Sequence, residues 1–155
     1  MFDLINGIPL HPLVVHAIVV LLPLATLGTI AIALRPRWRL TYGPLVIGSA
    51  LIATVLCPVA TSSGEALEKR VGDPGAHAAL GDQLLWFALA LLVLSALLVY
   101  LHRRNEASDS TPPGRAVQIV AVLAVIAALA STVQVYRVGD SGARQAWGDA
   151  ASSSN

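Results

Sequence analysis

The chain has one cysteine, Cys57, and one methionine among its 155 residues. A single cysteine excludes an intrachain disulfide and any zinc site built from several thiolates. Charge is almost as scarce. Asp, Glu, Lys and Arg make up 12% of the chain, against about 25% in an ordinary soluble domain. Lys69 is the only lysine beside nine arginines, a bias of the kind GC-rich bacterial genomes impose. The net charge of +1, with no basic cluster carrying interleaved aromatics, excludes a nucleic-acid partner. Walker, Rossmann and nucleophile-elbow patterns are all missing, so phosphate binding and serine chemistry have no motif to rest on. No internal repeat is apparent, and the only biased segment is the short Ser-rich end.

What the chain does have is apolar length. Hydrophobic residues are 55% of the total and the mean hydropathy is +0.70. Four stretches carry no formal charge: Leu4 to Leu34, Leu40 to Gly64, Gln83 to Leu101 and Ala116 to Tyr136. Each reaches or approaches the ~20 residues a helix needs to cross a bilayer. The first is too long for a signal peptide, lacks a basic leading region and is followed at once by three arginines, so it reads as an anchor. Arg35, Arg37 and Arg39 after the first stretch, and Arg103, Arg104 and Arg115 between the third and fourth, crowd one side of the membrane. The other side receives Lys69, Arg70, Arg137 and Arg144. The positive-inside rule then predicts both termini extracytoplasmic, and with the bacterial bias of the composition the expected location is a bacterial plasma membrane.

The expected fold is all-α: a four-helix integral membrane bundle, with helices 2 and 3 extended into an extracytoplasmic hairpin. The whole chain, 1–155, forms one membrane domain. Its spans are expected at about 12–34, 44–62, 82–102 and 115–137, with a polar tail over 138–155. Pro12 suits the first position of helix 1 and makes His11 a capping residue. Gly72, Asp73 and Pro74 punctuate the hairpin as C′, N-cap and N1. Pro23 should kink helix 1 unless a neighbour accommodates it. Ser131, Thr132 and Gln134 are placed to bond across helices.

This topology gathers His11, His16, Glu65, His77, Asp82, Arg137 and Asp140 at or above one membrane boundary. Imidazoles at the mouth of a membrane-length helix are costly without a partner, and so point to function. His11 and His16 lie five residues apart, roughly 140° around a helix, so one face cannot grip a metal with both. His16, one turn further in, is expected to be the buried one. With His77 it could supply the two axial nitrogens of haem b, while Arg137 or Lys69 meets the propionates. Zinc or copper is the smaller-ion alternative. Glu65, Asp82 and Asp140 would orient the histidines or carry protons; an ion pair of Glu65 or Asp82 with Arg137 is the structural alternative. Cys57 reads as a buried small hydrophobe.

Three motifs in order carry a resemblance: Pro9-Leu10-His11-Pro12-Leu13-Val14-Val15-His16; Ser63-Gly64-Glu65 followed by His77 and Gly81; and Val138-Gly139-Asp140-Ser141-Gly142 with Trp147. Together they resemble the DUF2231 family, small four-helix bacterial membrane proteins, and in particular its actinobacterial members. The resemblance implies the architecture over almost the whole chain and leaves the function open. Asp140 stands where some members of that family carry histidine, which weakens it as a metal ligand. The expected role is a small membrane subunit, not an enzyme on its own, binding haem b for electron transfer. The lipid bilayer surrounds it, and other redox subunits or further copies of itself are its candidate partners. The competing expectation is a structural or assembly subunit of a membrane complex.

Overall fold

A computed structural model describes residues 4–5, 8–72, 75–107 and 114–152. Asp73 and Pro74, expected to start the third helix, lie outside the described residues, as does the stretch 108–113. Four α helices fill the described residues: α1 (Leu10–Leu34), α2 (Arg39–Val71), α3 (Ala76–Ala107) and α4 (Arg115–Ser152). A two-residue antiparallel pairing, β1 (Leu4–Ile5) with β2 (Ile8–Pro9), precedes them. A single 3-10 turn, Pro36–Trp38, joins α1 to α2.

Each helix is long and apolar enough to cross a membrane, with window hydropathies of 2.5, 2.0, 2.7 and 2.4 in chain order. At 1.5 Å per residue, α2, α3 and α4 reach roughly 50 Å or more, against about 30 Å of hydrocarbon. All three are therefore longer than the hydrocarbon is thick, α4 as well as the two arms expected to be. The stretch expected as a polar tail continues α4 as helix through Ser152.

Helix α1 begins at Leu10 rather than Pro12, which puts His11 inside the first turn. Pro12 costs nothing there, because the first amides of a helix have no intrahelical acceptor to lose. Pro23 and Pro58 lie inside unbroken helices. The Thr26 hydroxyl donates to the Pro23 carbonyl at 2.8 Å, and Ser62 to Pro58 at 2.9 Å. Gly72 ends α2 as its spacing suggests. Its φ of 97° is open to glycine, and its amide closes on the Glu68 carbonyl at 2.8 Å.

The helices run alternately up and down as a square. α1 packs on α2 and α4, α3 packs on α2 and α4, and α1 faces α3 across the diagonal. Two core clusters stack along the axis. One, around Leu22, Leu84 and Leu91, lies toward the histidine end. The other, around Ile32, Leu98 and Val117, lies toward the arginine end. Ser131 and Gln134 of α4 tie into α3, donating to the Phe87 carbonyl at 3.3 Å and the Leu80 carbonyl at 2.8 Å. Thr132 bonds its own helix instead.

The burial pattern contains a repeat that the sequence did not reveal. Every buried position named on α3 lies 66 residues after a buried position on α1: Ile18 matches Leu84, Leu22 Ala88, Ala25 Leu91, Thr29 Ser95, Ile32 Leu98, and Ala33 Val99. At an offset of 78, Val46, Ala50 and Ala53 of α2 match Ala124, Ala128 and Ser131 of α4. Much of the burial pattern of the first helical hairpin thus recurs in the second. Both run in the same sense, as parallel repeats do about an axis along the membrane normal.

Candidate functional site

At the end where α1 and α3 begin, the four helices part around a cleft of about 900 Å3. That lies within the ~300–1,000 Å3 typical of small-molecule and cofactor sites. The duplication organises this cleft as well. All lining residues except Val19, Glu65 and Gly72 fall into pairs at the same two offsets.

His11, the second residue of α1, leans against α2. Its Nδ1 lies 2.9 Å from the Ala60 carbonyl oxygen and 3.4 Å from Ser63 Oγ. His77, the second residue of α3, leans against α4 in the same way. Its Nδ1 lies 3.2 Å from the Val138 carbonyl oxygen and 3.2 Å from Ser141 Oγ. Ala60, Ser63 and Gly64 correspond one for one to Val138, Ser141 and Gly142. Each serine donates to the same carbonyl its histidine uses, Ser63 to Ala60 at 3.0 Å and Ser141 to Val138 at 2.9 Å. A backbone carbonyl can only accept, so Nδ1 carries the proton in both rings. In the neutral form of such a ring the lone pair is on Nε2.

The glycines make room for these rings. A Cβ on Gly64 would sit 3.1 Å from Cε1 of His11, and one on Gly142 would sit 2.9 Å from Cε1 of His77. Real Cβ atoms essentially never come within 3.0 Å, so a side chain at 142 would push the His77 ring aside, whereas one at 64 would make the His11 ring give by a few tenths of an ångström. This is the physical content of the Ser-Gly dipeptides at 63–64 and 141–142.

A family described as "Predicted membrane protein (DUF2231)" matches residues 7–155. The chain belongs to the DUF2231 family. Neither the curated proteins nor the solved structures contain a match to it.

For this DUF2231 protein, the residues expected at a site divide three ways. His11, His16, His77, Glu65 and Asp82 all line the cleft. His16 is not the buried histidine: it is exposed, and its Nδ1 turns back to the Pro12 carbonyl of its own helix at 2.6 Å. The start of α1 at Leu10 reverses the expected roles, because it makes His11 a helical residue that packs against α2. Arg137 is exposed and off the lining. Asp140 is off it too, its Oδ2 accepting from Arg144 Nε at 2.9 Å. Asp82 takes its hydrogen bond from Thr61 Oγ1 at 3.3 Å rather than from Arg137. Cys57 is buried and donates to the Ala53 carbonyl at 3.3 Å, as a small core residue does.

Ser63, Gly64, Ser141 and Gly142, quoted above only within motifs, are the site residues to which the sequence reading gave no role in the site. Their signal was available as the repeated Ser-Gly dipeptide 78 residues apart. Among the described residues, no three His, Cys, Asp or Glu side chains converge as a small metal ion requires.

Proposed function

We propose that the cleft holds haem b between His11 and His77, and that the protein carries electrons within a bacterial plasma membrane. The observation that supports this is the matched pair of imidazoles. Each is fixed through Nδ1 to a carbonyl of the neighbouring helix, which leaves Nε2 as the nitrogen for a ligand. Haem ligation in helical bundles uses that arrangement, with the second bond setting tautomer and ring orientation. The two histidines belong to α1 and α3, which face each other across the diagonal. A planar group taking one nitrogen on each face suits such a pair, whereas a small ion needs ligands that converge.

Glu65, Glu68 and Asp82 on the cleft wall would turn the propionates outward to water. Arg137 and Lys69, exposed at the same end of the bundle, supply positive charge there. In this reading the arginine-rich end faces the cytoplasm and the cleft opens on the outer side, with about 12–34, 44–62, 82–102 and 115–137 in the bilayer. Electrons have to arrive and leave, so the partners are other redox proteins of the same membrane or further copies of this chain.

The test is the visible spectrum of the full-length protein purified from haem-replete cells. A Soret band is expected, lost or shifted in both His11→Ala and His77→Ala and retained in His16→Ala. A band that survives the first two and disappears in the third would restore His16 as the ligand. With no band in the parent protein, metal analysis of the same sample decides between a bound ion and a structural or assembly subunit.

A further inference from the structure

Apolar residues that face outward on a membrane helix need no protein partner where lipid covers them, so the length of each outward stripe is informative. On α1 the exposed large apolar side chains run from Leu13 to Leu34, on α2 from Leu40 to Val59 and on α3 from Trp86 to Tyr100. At 1.5 Å per residue these stripes span about 32, 29 and 21 Å, a fair match to or less than the ~30 Å of hydrocarbon. On α4 the stripe runs from Ile119 to Trp147, about 42 Å. Its continuous part ends at Tyr136, where Arg137 follows, and Trp147 lies about 16 Å further along the axis. That is past a headgroup layer of roughly 5–7 Å, yet Trp147 is 70% exposed.

The stripe also has a strict period. Ile119, Val122, Ile126, Leu129, Val133 and Tyr136 follow one another at alternate spacings of three and four residues, and Asp140, Ala143 and Trp147 continue the series. This is the a/d pattern of a left-handed coiled coil. Ile119, Ile126 and Val133 at a are all β-branched and Leu129 stands at d, the choice that favours two parallel strands. The core-facing residues of α4, from Val117 through Ala124 to Gln134, lie on the opposite side of the helix, so the seam faces away from the bundle. Helix α2, which corresponds to α4 at the offset of 78, has no such seam. Pro44, Gly48 and Pro58 stand where α4 has Val122, Ile126 and Tyr136, and Lys69 stands where it has Trp147. Both helices present these positions outward, so lipid exposure alone does not account for the difference.

We propose that α4 is the interface of a parallel homodimer, with a second copy of this chain seated on the Ile119–Trp147 stripe. Two copies inserted alike in one membrane share one direction, so their α4 helices meet in parallel about a two-fold axis along the membrane normal. Each a or d side chain then meets its own counterpart, which makes a single stripe complementary to itself. Trp147 packs against the partner's Trp147 beyond the lipid, where burial removes it from water. Asp140 sets the register. It is the one charged residue in the series, and its Oδ2 is already paired with Arg144 Nε at 2.9 Å, so two in-register pairs carry no net charge. A slip of one heptad would set Asp140 against Val133 or Trp147 instead.

The experiment is oxidative cross-linking, in membranes, of full-length variants that each add one cysteine. Val133→Cys and Ala143→Cys lie on the seam, and Val55→Cys is the α2 counterpart of the first. The parent, whose Cys57 is buried, is the blank. Both seam variants should give a reducible band at twice the 16.1 kDa of the chain, and Val55→Cys and the parent none. In detergent the parent should sediment as a dimer. Trp147→Glu should raise its dissociation constant by about tenfold or more, and Lys69→Glu, at the matching position of α2, should leave it unchanged. A seam variant without a band would mean that lipid alone covers the stripe. A Val55→Cys band as strong as those of the seam would mean association by another face, and a band of another mass a different occupant. Each of these, or a dissociation constant unmoved in Trp147→Glu, would overturn the proposal. None of these readouts needs a Soret band, and the haem reading is untouched by any of them.

Discussion

The two ends of the bundle treat their polar groups in opposite ways. At the arginine end, Arg39 is 4% exposed although it carries a full charge. Its Nε donates to the Ile32 carbonyl and its Nη2 to the Ala33 carbonyl, both at 2.9 Å. These are terminal carbonyls of α1, which have no amide of their own helix to accept from. The charge closes the bundle there, and Trp38 and Tyr42 pack edge to face at 5.7 Å outside it. At the histidine end the helices separate, and the polar side chains line open space. Polar groups join helices at both ends, but at the histidine end the bonds of His11 to α2 and of His77 to α4 are made on the wall of a cleft. The difference separates a closed end from an open one.

The comparison can be broken most sharply at Arg39. Arg39→Met leaves two buried carbonyls without their charged donor and should lower stability by roughly 3 kcal/mol, read as a drop in the thermal unfolding midpoint in detergent. Any Soret band should keep its position, since the cleft lies at the far end. A band lost together with stability would mean that the two ends are not independent.

A smaller effect is expected where the imidazoles sit. Gly142→Ala should cost about 1–3 kcal/mol through overpacking, while in Gly64→Ala a helix-propensity gain of about 1 kcal/mol offsets the tighter contact, and both should shift the Soret band. Gly142 should cost more, because its Cβ would come to 2.9 Å against 3.1 Å. Equal stability with an unmoved spectrum in both variants would remove the notch as a determinant of ring position. The smallest change should come from Gln134→Leu, which gives up the 2.8 Å bond to the Leu80 carbonyl. Interhelical polar bonds in membranes average about 0.6 kcal/mol, so a shift of the unfolding midpoint of that order is expected, with the spectrum unaltered.

Much of this fold was legible in the residues. Charge-free runs of membrane length gave the four helices, and the Gly72 turn gave the end of the second. Cleft positions were partly legible, because His11, His16, Glu65, His77 and Asp82 had to collect at one end once the helices alternated in direction. Their division of labour was not. Where α1 starts decides whether His11 caps the helix or packs against α2, and Pro12 is compatible with either. The duplication was hidden for a related reason. Pairs such as Leu22 with Ala88 and Ala25 with Leu91 exchange volumes within an apolar background, so only the polar pairs retain a visible trace. Those were His11 with His77 and the Ser-Gly dipeptides.

By itself, then, the sequence determined that this chain is four apolar helices with a polar, histidine-bearing end, because transfer of long uncharged runs into lipid depends on composition and length alone. Only the tertiary structure decided which histidine is locked in place. That depends on a carbonyl, a serine and a missing Cβ supplied by a different helix: Ala60, Ser63 and Gly64 for His11, and Val138, Ser141 and Gly142 for His77. Such contacts lie 49 and 61 residues apart along the chain, and no local pattern encodes them.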